Sequence, residues 1–251
     1  MNLPHELLDE ILSYLPSDDR NSFRACSLVA RSWVSPARRR LFSSVVITAR
    51  NYQSWKDHIS PANNDLLGHV RSLLYFTVLR SSGWRQLSFN DFIDYFPSFH
   101  HLQHLTLCGM HIGSDISERL EVFSAFRLSL LSLSLRTLVL TWSAFVAIVD
   151  YFPNVRDFTV SHIIWDIHHR QPSPLSRPMR GRLSIDMHKY RGLPILADRL
   201  SGLGVECDEL LILGSLDPGP STPHYQRIVD ACGKSVKRLR LSPCACTLRY
   251  V

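Results

Sequence analysis

Residues 3–16 read LPHELLDEILSYLP, and this stretch carries a strong local signal. Its apolar residues recur three and four positions apart, which is the spacing of one face of an α-helix. At about 100° per residue they cover roughly 180° of the helix surface, wider than the stripe of about 100° that a helix facing one core shows. Pro4 favours a helix start and Pro16 a helix end. The stretch predicts a helix with more apolar surface than one core needs.

Two shorter helices are predicted to follow this one. Ser17, Asp18 and Asp19 offer an N-cap and a negatively charged first turn for the second helix. Pro36 is predicted to open a third, basic helix, PARRRLF, and SSVVIT at 43–48 indicates a strand. About 45 residues are near the lower limit for independent folding, so we expect part of the apolar surface to meet another protein or the following domain. Periodicity alone is equally consistent with a helical cap buried within this chain.

The first 46 residues resemble an F-box domain. The matching positions come in the family's order: Leu-Pro, a spaced Glu, an Ile-Leu pair, a second Leu-Pro, and the segments CSLVARSW (26–33) and PARRRLF (36–42). The resemblance implies that residues 1–46 dock onto the Skp-type adaptor of a cullin–RING ubiquitin ligase. The domain behind an F-box then presents a captured substrate. Arg20 and Asn21 depart from the family, in which many members carry an apolar pair there.

The resemblance also implies which residues contact the adaptor. Those at or near the adaptor surface would be Leu3, Pro4, Leu7, Leu8, Ile11, Leu12 and Leu15, and those completing or supporting it would be Pro16, Leu28, Val29 and Trp33. Some of these side chains are expected to be internal core instead, and the sequence does not assign each one.

Residues 47–251 are predicted to form a second domain of recurring short strands. Seven segments share an apolar alternation, and their starts lie roughly 20 to 50 residues apart, the range of repeat architectures. They are VRSLLYF (70–76), LQHLTL (102–107), LRTLVL (135–140), VRDFTV (155–160), LSID (183–186), DELLIL (208–213) and VKRLRL (236–241). DYFP precedes two of them, at 94–97 and at 150–153.

This alternation predicts an α/β fold: a three-helix F-box, then an irregular leucine-rich-repeat-like solenoid with a parallel strand ladder and outer helices. The array resembles the divergent leucine-rich arrays found behind fungal F-boxes. Cys108 and Ser161 follow two strands where that family usually carries Asn, and a small polar group there could cap the turn. After VKRLRLSPC the sequence offers no polar cap, which solenoids generally need. This favours an array truncated at its C-terminus.

The sequence contains no motif that indicates an enzyme, a cofactor or a metal. His100, His101 and His104 lack the further converging ligands that tetrahedral zinc needs. Cys244 and Cys246 are closer together than the usual chelating spacing. Phosphate-binding loops, nucleophile elbows and zinc-protease helices are absent from the sequence. A hydrolase with a site assembled in space stays as a remote alternative, because a triad need not be visible in a sequence.

Composition narrows the class of partner. The 251 residues are 45% hydrophobic and 20% charged, as in a globular protein. The formal net charge is +6, but the arginines are dispersed and the densest run is Arg38-Arg39-Arg40, so we expect no nucleic-acid partner. The six cysteines do not resemble a disulfide framework. Because no apolar run reaches about 18 residues and the N-terminus lacks a signal-peptide core, we expect no membrane partner and a cytoplasmic or nuclear location.

These features together predict a non-enzymatic substrate receptor of a Skp–cullin–F-box ubiquitin ligase. Its expected partners are a Skp-type adaptor, a cullin scaffold reached through that adaptor, and an unidentified protein substrate. The alternative is a non-ligase binding or scaffold protein whose F-box-like helices only cap the array.

Overall fold

The computed structural model describes residues 3–16, 19–58, 67–77, 99–113, 115–166, 179–186, 196–198, 200, 205, 207–214, 222–232 and 235–243. Several positions named from the sequence lie outside these ranges, among them Ser17, Asp18, the DYFP copy at 94–97, Cys244 and Cys246.

Three helices form the N-terminal helical unit: α1 is His5–Ser13, α2 is Arg20–Cys26 and α3 is Arg31–Leu41. Each helix contributes one side chain to a small buried cluster, namely Leu12, Phe23 and Ala37. Partly buried side chains pack around this cluster, and these are Leu15, Cys26, Trp33 and Leu41. The unit therefore has an apolar core of its own, separate from the larger core described below.

Local chemistry sets the limits of α2 and α3. Asp19 is the N-cap of α2, because its carboxylate accepts hydrogen bonds from the hydroxyl of Ser22 and from the Ser22 N–H, which lies 3.1 Å from Oδ1. These bonds, chiefly the one from the hydroxyl, lower the pKa of Asp19. The prediction that Pro36 opens the third helix is wrong. That helix begins at Arg31 and holds Pro36 in its interior. Pro36 forgoes one backbone hydrogen bond there, and its ring is buried.

Within the described residues, eight strands form one parallel sheet and three short strands form a second, also parallel. In chain order the strands are β1 Ser44–Thr48, β2 Ser72–Phe76, β3 His104–Cys108, β4 His111–Ile112, β5 Ser132–Arg136, β6 Val139–Thr141, β7 Asp157–Ser161, β8 Ile164–Asp166, β9 Arg182–Asp186, β10 Glu209–Gly214 and β11 Arg238–Pro243. The large sheet runs β1-β2-β3-β5-β7-β9-β10-β11 and the small one β4-β6-β8. The predicted α/β class with a parallel strand ladder is confirmed.

Helices lie between successive strands of the large sheet. They are α4 Tyr52–His58, α5 Ile116–Arg119 with the 3₁₀ helix Leu120–Phe126 after it, α6 Trp142–Tyr151 and α7 Thr222–Cys232. The Thr141 side chain caps α6 by accepting from the Ala144 N–H at 3.2 Å. Phe145 of α6 meets the ring of Phe158 on β7 edge-on, with centroids 5.6 Å apart. One face of the sheet is thus covered by helices.

Two columns of apolar side chains cross the covered face of the large sheet, because alternate residues of a strand point to the same side. One column is Val45, Leu73, Leu105, Leu133, Phe158, Leu183, Leu210 and Leu239, and the other is Ile47, Tyr75, Leu107, Leu135, Val160, Ile185, Ile212 and Leu241. All are at most 2% exposed except the two on β11, Leu239 at 46% and Leu241 at 50%. These columns are the physical reason for the recurring apolar pattern.

One of the seven predicted strands, LRTLVL (135–140), is wrong as a single element. β5 ends at Arg136 and β6 begins at Val139, because Thr137 adopts a left-handed conformation with φ 51° and turns the chain. Gly109 (φ 77°) and His162 (φ 53°) hold the same position after β3 and β7. Three successive units therefore leave the large sheet through the same turn and enter the small sheet.

The predicted domain boundary between residues 46 and 47 falls inside β1. Val45 and Ile47, one on each side of it, both belong to the core of the sheet. Arg20 of α2 donates to the carbonyl oxygen of Ser44 at 3.1 Å, which ties the helical unit to the first residue of β1. The helical unit therefore ends before Ser44.

Candidate functional site

Exposed large apolar side chains are concentrated in the N-terminal helical unit. Among the described residues there are eleven such side chains, and six lie within residues 3–29. Single exposed apolar residues are ordinary, whereas a concentration of them marks an interaction site. We call these six residues the N-terminal apolar set: Leu3, Leu7, Ile11, Tyr14, Leu28 and Val29.

Helix α1 divides its apolar arc into two stripes. Leu7, Ile11 and Tyr14 fall within about 60° of one another around the helix axis, and they are 45%, 43% and 79% exposed. Leu8 and Leu12 lie about 100° further round, and both are 0% exposed. One stripe thus builds the interior of the unit, while its neighbour is left on the surface.

The structure sorts the eleven predicted adaptor residues into three groups. Leu8 and Leu12 are fully buried, so these two are among the side chains that form internal core. Leu15 and Trp33 are partly buried and pack against the small cluster. The exposed ones are Leu3, Pro4, Leu7, Ile11, Pro16, Leu28 and Val29. Tyr14 was missed from the sequence, although its spacing of three residues from Ile11 places it on the exposed stripe.

An ion pair fixes α1 against α3. Nη2 of Arg39 lies 3.0 Å from Asp9 Oδ2 and 3.2 Å from Oδ1. Both side chains are nearly half exposed, so this pair contributes at most about 1 kcal/mol. The basic run of α3 is therefore engaged in part by the unit itself.

The second candidate surface is the outer sheet face, which is the face of the large sheet opposite the two buried columns. Its middle column is small and hydroxylated in the centre of the sheet, where Thr106, Ser134, Thr159 and Ser184 are partners in successive strands. Thr106 and Thr159 are partly exposed, whereas Ser134 and Ser184 are buried, and Arg136 donates to the Ser134 hydroxyl at 2.9 Å. This column gives way to Leu211 and Arg240 on the last two strands.

A chain of ion pairs crosses the outer sheet face from β7 to β11. Arg182 lies 3.6 Å from Asp157 Oδ1 through Nη1 and 3.0 Å from Glu209 Oε2 through Nε. The other carboxylate oxygen of Glu209 lies 2.9 Å from Arg240 Nε. The Glu209 side chain is only 12% exposed, and the hydrogen bond from Arg182 is the main reason that its pKa is lowered. This network fixes charged groups across four neighbouring strands.

The described residues show little that resembles a catalytic or metal centre. No group of three His, Cys, Asp or Glu side chains among them is arranged to hold a metal ion. His100, His101 and His104 are exposed in the turn before β3 and at its first residue. A cavity of about 280 Å³ beside α6 has an apolar lining, with Arg180 as its one charged residue. None of the described helices is long and apolar enough to cross a membrane.

The N-terminal helical unit matches a known family. The family model of the F-box domain matches residues 1–39, which covers α1, α2 and most of α3. No curated protein matches the chain. The resemblance to an F-box domain is therefore confirmed for these residues, and the match ends before the first strand of the sheet.

Proposed function

We propose that this protein is the substrate-recognition subunit of a Skp–cullin–F-box ubiquitin ligase. The observation that carries the proposal is the exposed apolar stripe of α1, with Leu7, Ile11 and Tyr14, on a unit that matches the F-box domain. A stripe of this kind on a unit with so small a core is stabilised when a partner covers it.

In this proposal the Skp-type adaptor covers the N-terminal apolar set and links the protein to a cullin scaffold. A standard protein interface buries about 1,600 Å² in total, and a few central apolar anchors supply most of its affinity. Leu7 and Ile11 are such anchors, because they are exposed on a helix whose position is fixed by the buried side chains of Leu8 and Leu12. Leu28 and Val29, in the turn after α2, extend the same set.

Residues 44–251 are proposed to form a repeat array similar to a divergent leucine-rich solenoid. Paired residues in successive strands of the large sheet are 25 to 32 residues apart, a repeat-like period. At six of the seven strand-to-strand steps, one carbonyl oxygen ahead of a strand accepts two N–H groups, that of the residue just before the next strand and that of its first residue. Ser43 O, for example, accepts from Arg71 and Ser72 at 2.8 and 2.9 Å.

The outer sheet face is the proposed binding surface for a protein substrate. The charges fixed between β7 and β11 on this face offer selectivity for a partner of complementary charge. The protein then performs no chemical step. It raises the local concentration of the substrate beside the ubiquitin carrier of the ligase, in the cytoplasm or the nucleus.

Co-expression with a Skp-type adaptor, followed by size-exclusion chromatography, tests the adaptor interface. We expect a one-to-one complex with the full chain, and at least about a 30-fold loss of affinity for Leu7→Asp and Ile11→Asp, as for a central anchor of an interface. Leu128→Asp is the matched control, because Leu128 is also an exposed leucine but lies outside the helical unit. Undiminished binding of Ile11→Asp by a folded chain would refute adaptor docking on α1.

A capping role is the second candidate, and the contact between Arg20 and the Ser44 carbonyl oxygen favours it. There the helices would cover the first edge of the sheet instead of recruiting an adaptor. A fragment beginning at residue 43 tests this, because it keeps β1 whole. Melting of that fragment at the temperature of the full chain excludes a stabilising cap, whereas a clear drop supports one.

A further inference from the structure

Two cysteine side chains meet in the core under the last strands of the sheet. Cys207 lies two residues before β10, and Cys232 is the last residue of α7. Each is 1% exposed and each is a free thiol. The two thiols are close enough for each to shift the pKa of the other. They are 25 positions apart in the chain, so the fold and not the local sequence brings them together.

The backbone around the two cysteines is also held side by side. The hydroxyl of Ser235 lies 3.1 Å from the carbonyl oxygen of Cys232 and 3.4 Å from that of Cys207. Asp208 O accepts the N–H of Lys237 at 2.9 Å, which fixes the next residues in line. A disulfide needs Cα atoms within about 4.4–6.8 Å and side chains directed at each other. The Ser235 hydroxyl, within reach of both carbonyl oxygens, holds the backbones of Cys207 and Cys232 next to each other.

The two thiols differ in acidity. The hydrogen bond from Cys232 lowers the pKa of Cys207, whereas that bond and burial raise the pKa of Cys232. Because the thiolate is the nucleophile in disulfide exchange, Cys207 is the attacking thiol and Cys232 the resolving one.

We propose that Cys207 and Cys232 are a reversible redox pair that closes to a disulfide when a low-molecular-weight disulfide, such as oxidised glutathione, reaches them. The Cys207 thiolate attacks one glutathione sulfur, forming a mixed disulfide and releasing one glutathione. The Cys232 thiol then loses its proton to solvent, and its sulfur displaces the second glutathione. Two protein thiols are oxidised and one glutathione disulfide is reduced to two thiols. In a reducing compartment, protein disulfides of this kind are transient and serve as sensors.

In this proposal an oxidant reaches the buried sulfurs when the β11 end of the described sheet opens locally. The apolar side chains of β11, Leu239 and Leu241, are about half exposed, unlike their partners in the other strands. Regions with less apolar burial open locally at lower free energy. The disulfide would then link the start of β10 to the end of α7 and oppose that opening.

The full chain is incubated with oxidised glutathione, alkylated under denaturing conditions and digested with trypsin. Cleavage after Arg227 and Lys234 places Cys207 and Cys232 in separate peptides, and a different peptide carries Cys244 and Cys246. We expect the peptides of Cys207 and Cys232 to be cross-linked, and dithiothreitol to reverse the link. Closing a loop of this length would raise the melting temperature by roughly 5–10 °C.

Variants separate this pair from general thiol oxidation. Cys207→Ala and Cys232→Ala should each abolish the cross-link and the rise in melting temperature, whereas Cys108→Ala, which removes another buried free thiol, should keep both. If alanine at either position prevents folding, peptide mapping of the wild-type chain still decides. Stable glutathione adducts without a cross-link, or a cross-link from either cysteine to Cys244 or Cys246, would overturn the proposal.

Discussion

The N-terminal helical unit and the large sheet use apolar residues in opposite ways. In the sheet, fourteen side chains of the two columns are at most 2% exposed. In the helical unit, three buried side chains form the cluster, and twice that number of large apolar residues lie exposed. The sheet therefore obtains its stability from its own repeated pattern. The helices leave apolar surface exposed, so the two regions differ in how much of their apolar surface they bury themselves.

The largest expected effect compares two leucines of α1. Leu12→Ala removes a fully buried side chain from the small cluster and should cost about 2–5 kcal/mol of the free energy of unfolding. Leu7→Ala, at an exposed position of the same helix, should change it by no more than about 0.5 kcal/mol. Amide hydrogen exchange should show lost protection in α1 to α3 for Leu12→Ala and unchanged protection in the sheet. Equal loss in the sheet would mean that both regions unfold as one.

The next effect lies in the turn after β3. Gly109 has φ 77°, and a Cβ there would lie 1.7 Å from the carbonyl oxygen of Thr77. Gly109→Ala should therefore destabilise the sheet by about 2–3 kcal/mol in urea unfolding. Gly113→Ala is the control, because its Cβ would come no closer than 3.0 Å to another atom, the Asp115 Oδ1 at the end of a side chain. Similar losses for both variants would show that steric contact with Thr77 is not the cause.

A smaller effect, of opposite sign, is expected at Thr137. Its left-handed backbone is strained for a β-branched residue, so Thr137→Gly should raise the free energy of unfolding by up to about 1 kcal/mol. Thr137→Ala removes the same hydroxyl without relieving the backbone strain and separates the two contributions. Thermal unfolding of both variants is the measurement, and a Gly variant no more stable than the Ala variant would contradict the strain argument.

The smallest effect is a pH dependence of the ion-pair chain. The folded-state pKa of Glu209 is lowered, chiefly by the hydrogen bond from Arg182. Its stabilising contribution is thus present above the unfolded-state pKa of about 4.3, and is lost as pH falls through the lower folded value. The stability difference between wild type and Glu209→Gln should be largest near neutrality and shrink below about pH 4. When both proteins also carry Arg182→Gln, this stability difference should vary less with pH. An unchanged pH dependence would exclude Arg182 as the cause of the lowered pKa.

The apolar pattern predicted most strands of the sheet, because residues two positions apart in a strand point to the same face and so supply the two buried columns. It failed at 135–140, where apolar spacing continues through Thr137 although the backbone turns. That turn depends on a positive φ, which the sequence signals at Gly109 but not at Thr137 or His162. The prediction for Pro36 failed because the sequence does not show whether a proline opens a helix or lies inside one. Pro36 lies inside α3, which begins at Arg31.

The wide apolar arc of α1 was evident from the sequence, but its division into a buried and an exposed stripe was not. Which stripe is buried depends on how α2 and α3 pack, and Leu8 and Leu12 show this plainly. The ion pairs around Glu209 were also out of reach, because their members come from strands 25 or more residues apart.

The order of strands in the large sheet also bears on how the chain folds during synthesis. Each strand pairs with the strand before it in that sheet, about 25 to 32 residues earlier in the chain. When a strand leaves the ribosome, the strand with which it pairs has therefore already been synthesised. Short sequence separations between pairing strands favour fast folding. The helical unit emerges before any of them, with a core that needs no later residue. A nascent chain stalled within the sheet would already display Leu7 and Ile11 on a folded helical unit.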